Sequence, residues 1–281
     1  MGIWTGVIGF VWLAQRHYQF PELYAEFVAF GPFEDIHAFG SVIGALLVGT
    51  LCCLCANRSG WAVATIALGA IVLVGLSYSR ATWLWAGVGI MGVVFLRCPR
   101  WLSLALVIIG LGLVGALHGI VPKLRELNQP YATRFADLVQ VERWSQQDAP
   151  RLHYYRQAFG LIRARFWFGH GTGSSRRVSG DFTHNFLLQS AVENGLPAMG
   201  FLLLGLGGAM LPSLRALRRR VASVETKALL AAAITYLGTQ LTANAINIYP
   251  TQVFFFWALL AMLYLSAQRD LEGAEARNLE T

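Results

Sequence analysis

The sequence predicts an all-α protein, a polytopic bundle of transmembrane helices. Three observations carry this expectation. Of the 281 residues, 56% are hydrophobic and only 13% are charged, about half the charged share of an ordinary soluble domain. Mean hydropathy is +0.51. The charges are clustered, so long uncharged apolar runs lie between them, and such runs belong in a bilayer rather than in a soluble core.

About eight runs qualify as spans. They cover roughly 2–14, 38–56, 61–78, 81–97, 101–118, 185–211, 228–247 and 250–267. The run at 2–14 is short against the roughly 20 residues a bilayer requires. It lacks the basic n-region and small-residue cleavage site of a signal peptide, and it reads as the remnant of a longer helix. Arg58, the pair Arg97 and Arg100, and the group Arg215, Arg218, Arg219, Arg220 and Lys227 fall in three short loops on one side. Basic short loops mark the cytoplasmic face, which puts both termini there. Segment 15–37, the turns at Arg80 and Tyr249, and the long 119–183 stretch are then external. The net charge of +7 partly reflects this topology and does not argue for nucleic acid. The expected organisation is one membrane domain over 1–281, with 119–183 as a large external (periplasmic) loop and 268–281 as a cytoplasmic tail. Cys52, Cys53, Cys55 and Cys98 form no disulfide framework or zinc spacing and read as small apolar helix residues.

The external loop carries ten basic residues against five acidic ones. Long loops escape the positive-inside tendency, so such an excess persists where it is useful, for instance against an anionic lipid-linked substrate. Within the loop, 150–166 reads as an amphipathic helix, with Asp148 as its cap and Pro150 in its first turn. Leu152, Tyr155, Phe159, Ile162 and Phe166 follow the spacing of one face, flanked by Arg151, Arg156 and Arg163. Such a helix can lie on the bilayer with its arginines reaching phosphates; the alternative is a helix that only covers the bundle. Gly169-His170-Gly171-Thr172-Gly173 follows as a flexible turn. Its glycines would allow close approach to phosphate oxygens, or it is an ordinary loop.

The next helix holds Asn185, Gln189 and Glu193 at four-residue spacing, on one face. His184 stands at its external edge. Glu193 is nine residues past His184 and so about 13 Å deeper, well inside the bilayer, which favours a structural carboxylate. Gly195 and Pro197 predict a kink or break. Ser79-Arg80-Ala81-Thr82 falls where the third span turns back into the fourth, which puts Arg80 at the same external face as His184. A guanidinium there is either a snorkelling residue or a phosphate ligand.

Several of these pieces occur together and in order: Ser79-Arg80 opening an apolar helix, Arg151 ahead of Tyr154-Tyr155-Arg156, Gly169-x-Gly171-x-Gly173, His184-Asn185, and Glu193-x-Gly195. In this order the chain resembles the O-antigen ligase family, which also includes Wzy-type polysaccharide polymerases and pilin oligosaccharyltransferases. The resemblance covers roughly 60–205, with a weaker match from Gly31-Pro32-Phe33 to Ala38. It implies a GT-C-like membrane glycosyltransferase in the bacterial cytoplasmic (inner) membrane. Such an enzyme moves a glycan from an undecaprenyl-diphosphate carrier to an acceptor at the periplasmic face. The acceptor is lipid A core, a growing glycan or a protein, and no nucleotide sugar, cofactor or metal is implied.

By position, Arg80 matches the family's hairpin arginine, Arg151 its loop arginine and His184 its catalytic histidine. Arg156 is an alternative to Arg151. Arg156, Arg163, Asn185, Gly171 and Gly173 are the expected substrate-binding residues, and Glu193 and Gly195 the structural ones. The chain departs from the family pattern in showing about eight spans rather than ten or more, and in having Phe166-Trp167 where a proline is common ahead of the Gly-rich turn. The rival readings are a flippase or transporter of lipid-linked glycan and a non-catalytic scaffold.

Overall fold

The computed structural model describes residues 36–57, 80–97, 141–175, 185–243 and 250–279. Among them every regular element is a helix: α1 (Ile36–Asn57), α2 (Arg80–Arg97), α3 (Val141–Ala164), α4 (Phe186–Asn194), α5 (Leu196–Arg218), α6 (Val224–Ala243) and α7 (Pro250–Leu279). The expected runs 38–56 and 81–97 fall within α1 and α2, and 228–247 and 250–267 correspond to α6 and α7. The runs 2–14, 61–78 and 101–118 lie outside the described residues.

Helix α6 is the centre of the bundle, packing on α1, α2, α5 and α7. It buries Leu230, Ala233 and Tyr236 together with Thr226, Thr235, Thr239 and Gln240. The faces of α6 packed between helices tolerate hydroxyls, as where Thr239 Oγ1 donates to Tyr236 O at 2.6 Å, while Ile234 on the same helix is exposed. Helix α5 is the opposite case. Among the described residues it is the one helix both long and apolar enough to cross a membrane. It leaves Phe201, Leu203, Leu204, Leu211 and Leu214 exposed, which suits lipid as the neighbour.

Small residues bring the backbones together. A Cβ added at Gly89 of α2 would strike Val48 and Thr235, and one at Gly238 of α6 would strike the Trp85 ring. Lipid-embedded helices gain little from hydrophobic exclusion and associate through such close approach.

One end of the bundle is basic, with Arg215 and Arg218 in the last turn of α5. There the chain turns at Arg220, which takes φ 60°. Val221 N donates to Ala216 O and Arg220 N to Leu217 O, both at 3.0 Å, the paired bonds of a Schellman ending. Ser223 then caps α6, its Oγ accepting from Thr226 N at 3.2 Å. Asp270 of α7 locks this turn, accepting from Ser223 N and Thr226 Oγ1 at 2.7 Å each. Burial pushes the Asp270 carboxyl up, but the Ser223 and Thr226 hydrogen bonds and Arg269 outweigh it and hold the group below its ordinary range. Arg219 pairs with Glu275 at 3.1 Å. The segment set apart as a tail is therefore helical as far as Leu279 and is tied to the α5–α6 turn.

One expectation needs correction. Helix α3 begins at Val141 rather than at 150, so Asp148 is not its cap and Pro150 lies inside it. Glu142, Gln146 and Gln147 are good helix formers and extend the helix ahead of the proline. The break expected at Gly195 is present: the 185–211 run is two helices, α4 and α5, separated there with φ 86° and ψ 165°.

We expect Gly238→Val to destabilise the protein by at least about 1–3 kcal/mol through overpacking against Trp85. Thermal unfolding in detergent would show it, with Gly208→Ala, where a Cβ meets nothing within 4 Å, melting no lower than the parent. Because the folded pKa of Asp270 is depressed, its contribution is fully present above the unfolded pKa and is lost as pH falls through the folded one. The stability gap between the parent and Asp270→Asn should therefore stay constant from neutral pH down to the ordinary carboxylate range and close only below it.

Candidate functional site

The end of the bundle away from the basic turn is organised by the break at Gly195. Helix α4 starts with Asn185, whose Oδ1 accepts from Leu187 N and Leu188 N at 3.0 Å each. This satisfies two amides that a helix start leaves free. The other side-chain end of Asn185 donates to Leu241 O at 3.0 Å, close to the end of α6. Both termini of α4 are thus fixed, one to α6 and the other at the start of α5. The Asn185 side chain is engaged by the fold itself.

The chain leaving α3 fills the break. Gly169 N donates to Arg165 O at 3.1 Å, His170 N to Val192 O at 2.9 Å, and Gly171 N to Glu193 O at 2.8 Å. Leu196 N donates to Phe166 O at 2.9 Å. One loop therefore caps the C-terminal carbonyls of α4 and the first amide of α5 together. Such contact demands residues without side chains. A Cβ at Gly169 would collide with the Glu193 carbonyl, and one at Gly195 with the Trp167 carbonyl; both glycines also have positive φ, at 64° and 86°. His170 Nε2 lies 2.9 Å from Leu161 O. A carbonyl only accepts, so Nε2 carries the proton there.

Glu193 is buried, and its Oε1 accepts from Ser175 Oγ at 2.9 Å and from Gln189 Nε2 at 3.0 Å. The helical spacing of Gln189 and Glu193 brings the second bond about. The break changes its expected depth. Helix α5 rises about 35 Å, and the Arg219–Glu275 pair fixes its far end, so Gly195 stands at the loop end of the bundle. Glu193 is there too, and not well inside as its spacing from His184 predicts.

Helix α3 packs on α4 through Ala158 and Ile162 against Ala191 and Val192. Ile162 of the expected apolar stripe faces protein, while Leu152, Phe159 and Phe166 of the same stripe are exposed. Arg156 and Arg163 are exposed as well. Arg80 is the first residue of α2, and Arg151 lies within α3. His184 falls outside the described residues, one position ahead of the Asn185 cap. The close approach at Gly171 is to the Glu193 carbonyl, so its amide is already in use; Gly173 has φ 74° and open space around its Cβ position.

Residues 43–204, more than half of the chain, match the family model described as O-antigen ligase. The chain belongs to the O-antigen ligase family. Membership implies a membrane protein with ligase or polymerase activity on O-antigen-type polysaccharide. The match spans Arg80, Arg151, His184 and the whole α3–α4–α5 junction. No curated protein matches the chain.

Ser175 and His170 take part in this O-antigen ligase junction without having been singled out as partners. A buried glutamate requires a donor, and the serines after the Gly-rich turn were the signal available. His170 has no comparable signature, because its role is fixed by the path of the turn. We expect Gly169→Ala and Gly195→Ala both to lower the thermal midpoint and to raise protease sensitivity near Arg165. Glu193→Ala should cost about 1–3 kcal/mol by removing the buried acceptor that Ser175 and Gln189 share, whereas Glu193→Gln, which keeps an acceptor oxygen, should cost less.

Proposed function

We propose that this chain is a membrane glycosyltransferase that moves a glycan from an undecaprenyl-diphosphate carrier to an acceptor hydroxyl at the periplasmic face of the bacterial inner membrane. The observation that carries this reading is the family match, which includes in one stretch the arginine opening α2, the α3 arginines and His184. The basic turn after α5 is the cytoplasmic end by the positive-inside tendency, which makes the α4–α5 break the outer end. Exposed Arg156 and Arg163 at that end support an anionic, lipid-linked donor.

In the reaction, Arg80 and Arg151 hold the diphosphate and neutralise the charge that grows on it as the glycosidic bond breaks. His184 accepts the proton of the acceptor hydroxyl. The hydroxyl oxygen bonds to the anomeric carbon from the face opposite the departing phosphate. Configuration inverts, and undecaprenyl diphosphate leaves with the bonding pair. Arg156 and Arg163 help draw the donor to the surface of α3, and Gly173 lies where the turn is open to a phosphate.

His184→Ala, Arg80→Ala and Arg151→Ala should each reduce transfer by roughly 100-fold or more at unchanged protein level. Arg156→Gln should mainly raise the donor KM. Glycan transfer would be measured in reconstituted membranes with polyprenyl-diphosphate glycan as donor, and unchanged rates in both His184→Ala and Arg80→Ala would overturn the reading.

A further inference from the structure

Phe166, Trp167 and Phe168 are aromatic, exposed and rigidly held at the same time. Phe166 is 45% exposed, Trp167 67% and Phe168 89%. The first two rings meet edge-on with centroids 5.1 Å apart, so they project as a pair. Their backbone is fixed by the Phe166 O bond to Leu196 N and by the close contact of the Trp167 carbonyl with Gly195. Three large rings held in contact with water are costly, and nothing in the fold of this turn requires rings there.

The same contacts set the height of the segment. Leu196 is the first residue of α5, the helix suited to cross a membrane. About 35 Å of helix slightly exceeds a hydrocarbon core of about 30 Å, so the start of α5 lies in the headgroup region. Phe166–Phe168 is hydrogen-bonded to that start and shares its level. Exposed Arg163 and Arg165 flank the rings. Leu152 and Phe159, also exposed, share one face of α3, ahead of the turn that carries the rings. Rings at the boundary with basic side chains beside them are what a bilayer surface accepts.

We propose that Phe166–Trp167–Phe168 is a bilayer anchor, inserted at the boundary between headgroups and acyl chains, with Arg165 on lipid phosphates. It holds the loop that caps α4 and α5 against the membrane surface. This requires only that α5 spans the bilayer, and it stands whether or not the glycosyltransfer reading does.

The test uses the full chain in nanodiscs of equal parts phosphatidylcholine and phosphatidylglycerol. The protein has nine tryptophans, so the Trp167 signal is taken as the difference in emission between the parent and Trp167→Phe. Bromines near the ester carbonyls of the lipid should cut that component by about half or more, as expected for a ring 5–10 Å into the boundary. Bromines near the acyl-chain ends should quench it less, and aqueous acrylamide little. Phe168→Trp on the Trp167→Phe background gives a second reporter at the adjacent position and should behave alike. A component quenched by acrylamide and untouched by brominated lipid would overturn the anchor. So would a component shielded from both, which would mean that protein covers the rings.

Discussion

The loop end of this bundle depends on a set of backbone hydrogen bonds across a broken helix. Ending α4 at Asn194 leaves carbonyls without partners, and starting α5 at Leu196 leaves amides without partners. Where α3 packs over the break, those groups need partners within the protein. The turn after α3 supplies donors from His170 and Gly171 and an acceptor from Phe166. Without that turn the break would leave polar backbone without protein partners. Without the break, α4 would continue as part of the spanning helix and the turn would have nothing to dock on.

This constraint links regions distant in sequence. Helix α3 is held on α4 by Ala158 and Ile162, and the turn then fixes where α3 ends. Asn185 ties the other end of α4 to Leu241, while the buried Glu193 holds Ser175 just beyond the Gly-rich turn. A catalytic group for polymer transfer needs a fixed position relative to the membrane surface, because its donor is anchored there by a lipid tail. A short helix pinned at both ends at the mouth of the bundle provides such a reference. The basic turn at the other end, secured by Asp270, plays no part in that geometry and serves to hold α5, α6 and α7 in register.

Much of the helix content was legible because hydropathy and clustered charge determine where an apolar helix can run. Helices α1 and α2 lie within a residue or two of the expected runs. The break at Gly195 was legible in kind, since glycine followed by proline interrupts a helix. Its consequence for depth was not, because the partner that makes the break tolerable is a loop some 25 residues earlier. The early start of α3 was hidden by Pro150, whose local preference gave way to the helix formers before it. The glycines of the turn illustrate the same limit. The pattern demanded close backbone approach, and only the fold shows that at Gly169 and Gly171 the approaching backbone is that of α4. Asn185 likewise serves as a helix cap and as a tie to α6, roles that its spacing from Gln189 and Glu193 did not reveal.

The central claim is that a glycan leaves its polyprenyl carrier at this end of the bundle and becomes bonded to an acceptor. The most direct measurement follows both products in one reaction: the purified chain in nanodiscs with undecaprenyl-diphosphate glycan and candidate acceptors offered in turn. The account predicts free undecaprenyl diphosphate in equal amount to glycosylated acceptor, with inverted configuration at the new linkage. In sealed vesicles, glycan that crosses the membrane still attached to its carrier, with no free carrier and no new linkage, would contradict it and point to a flippase.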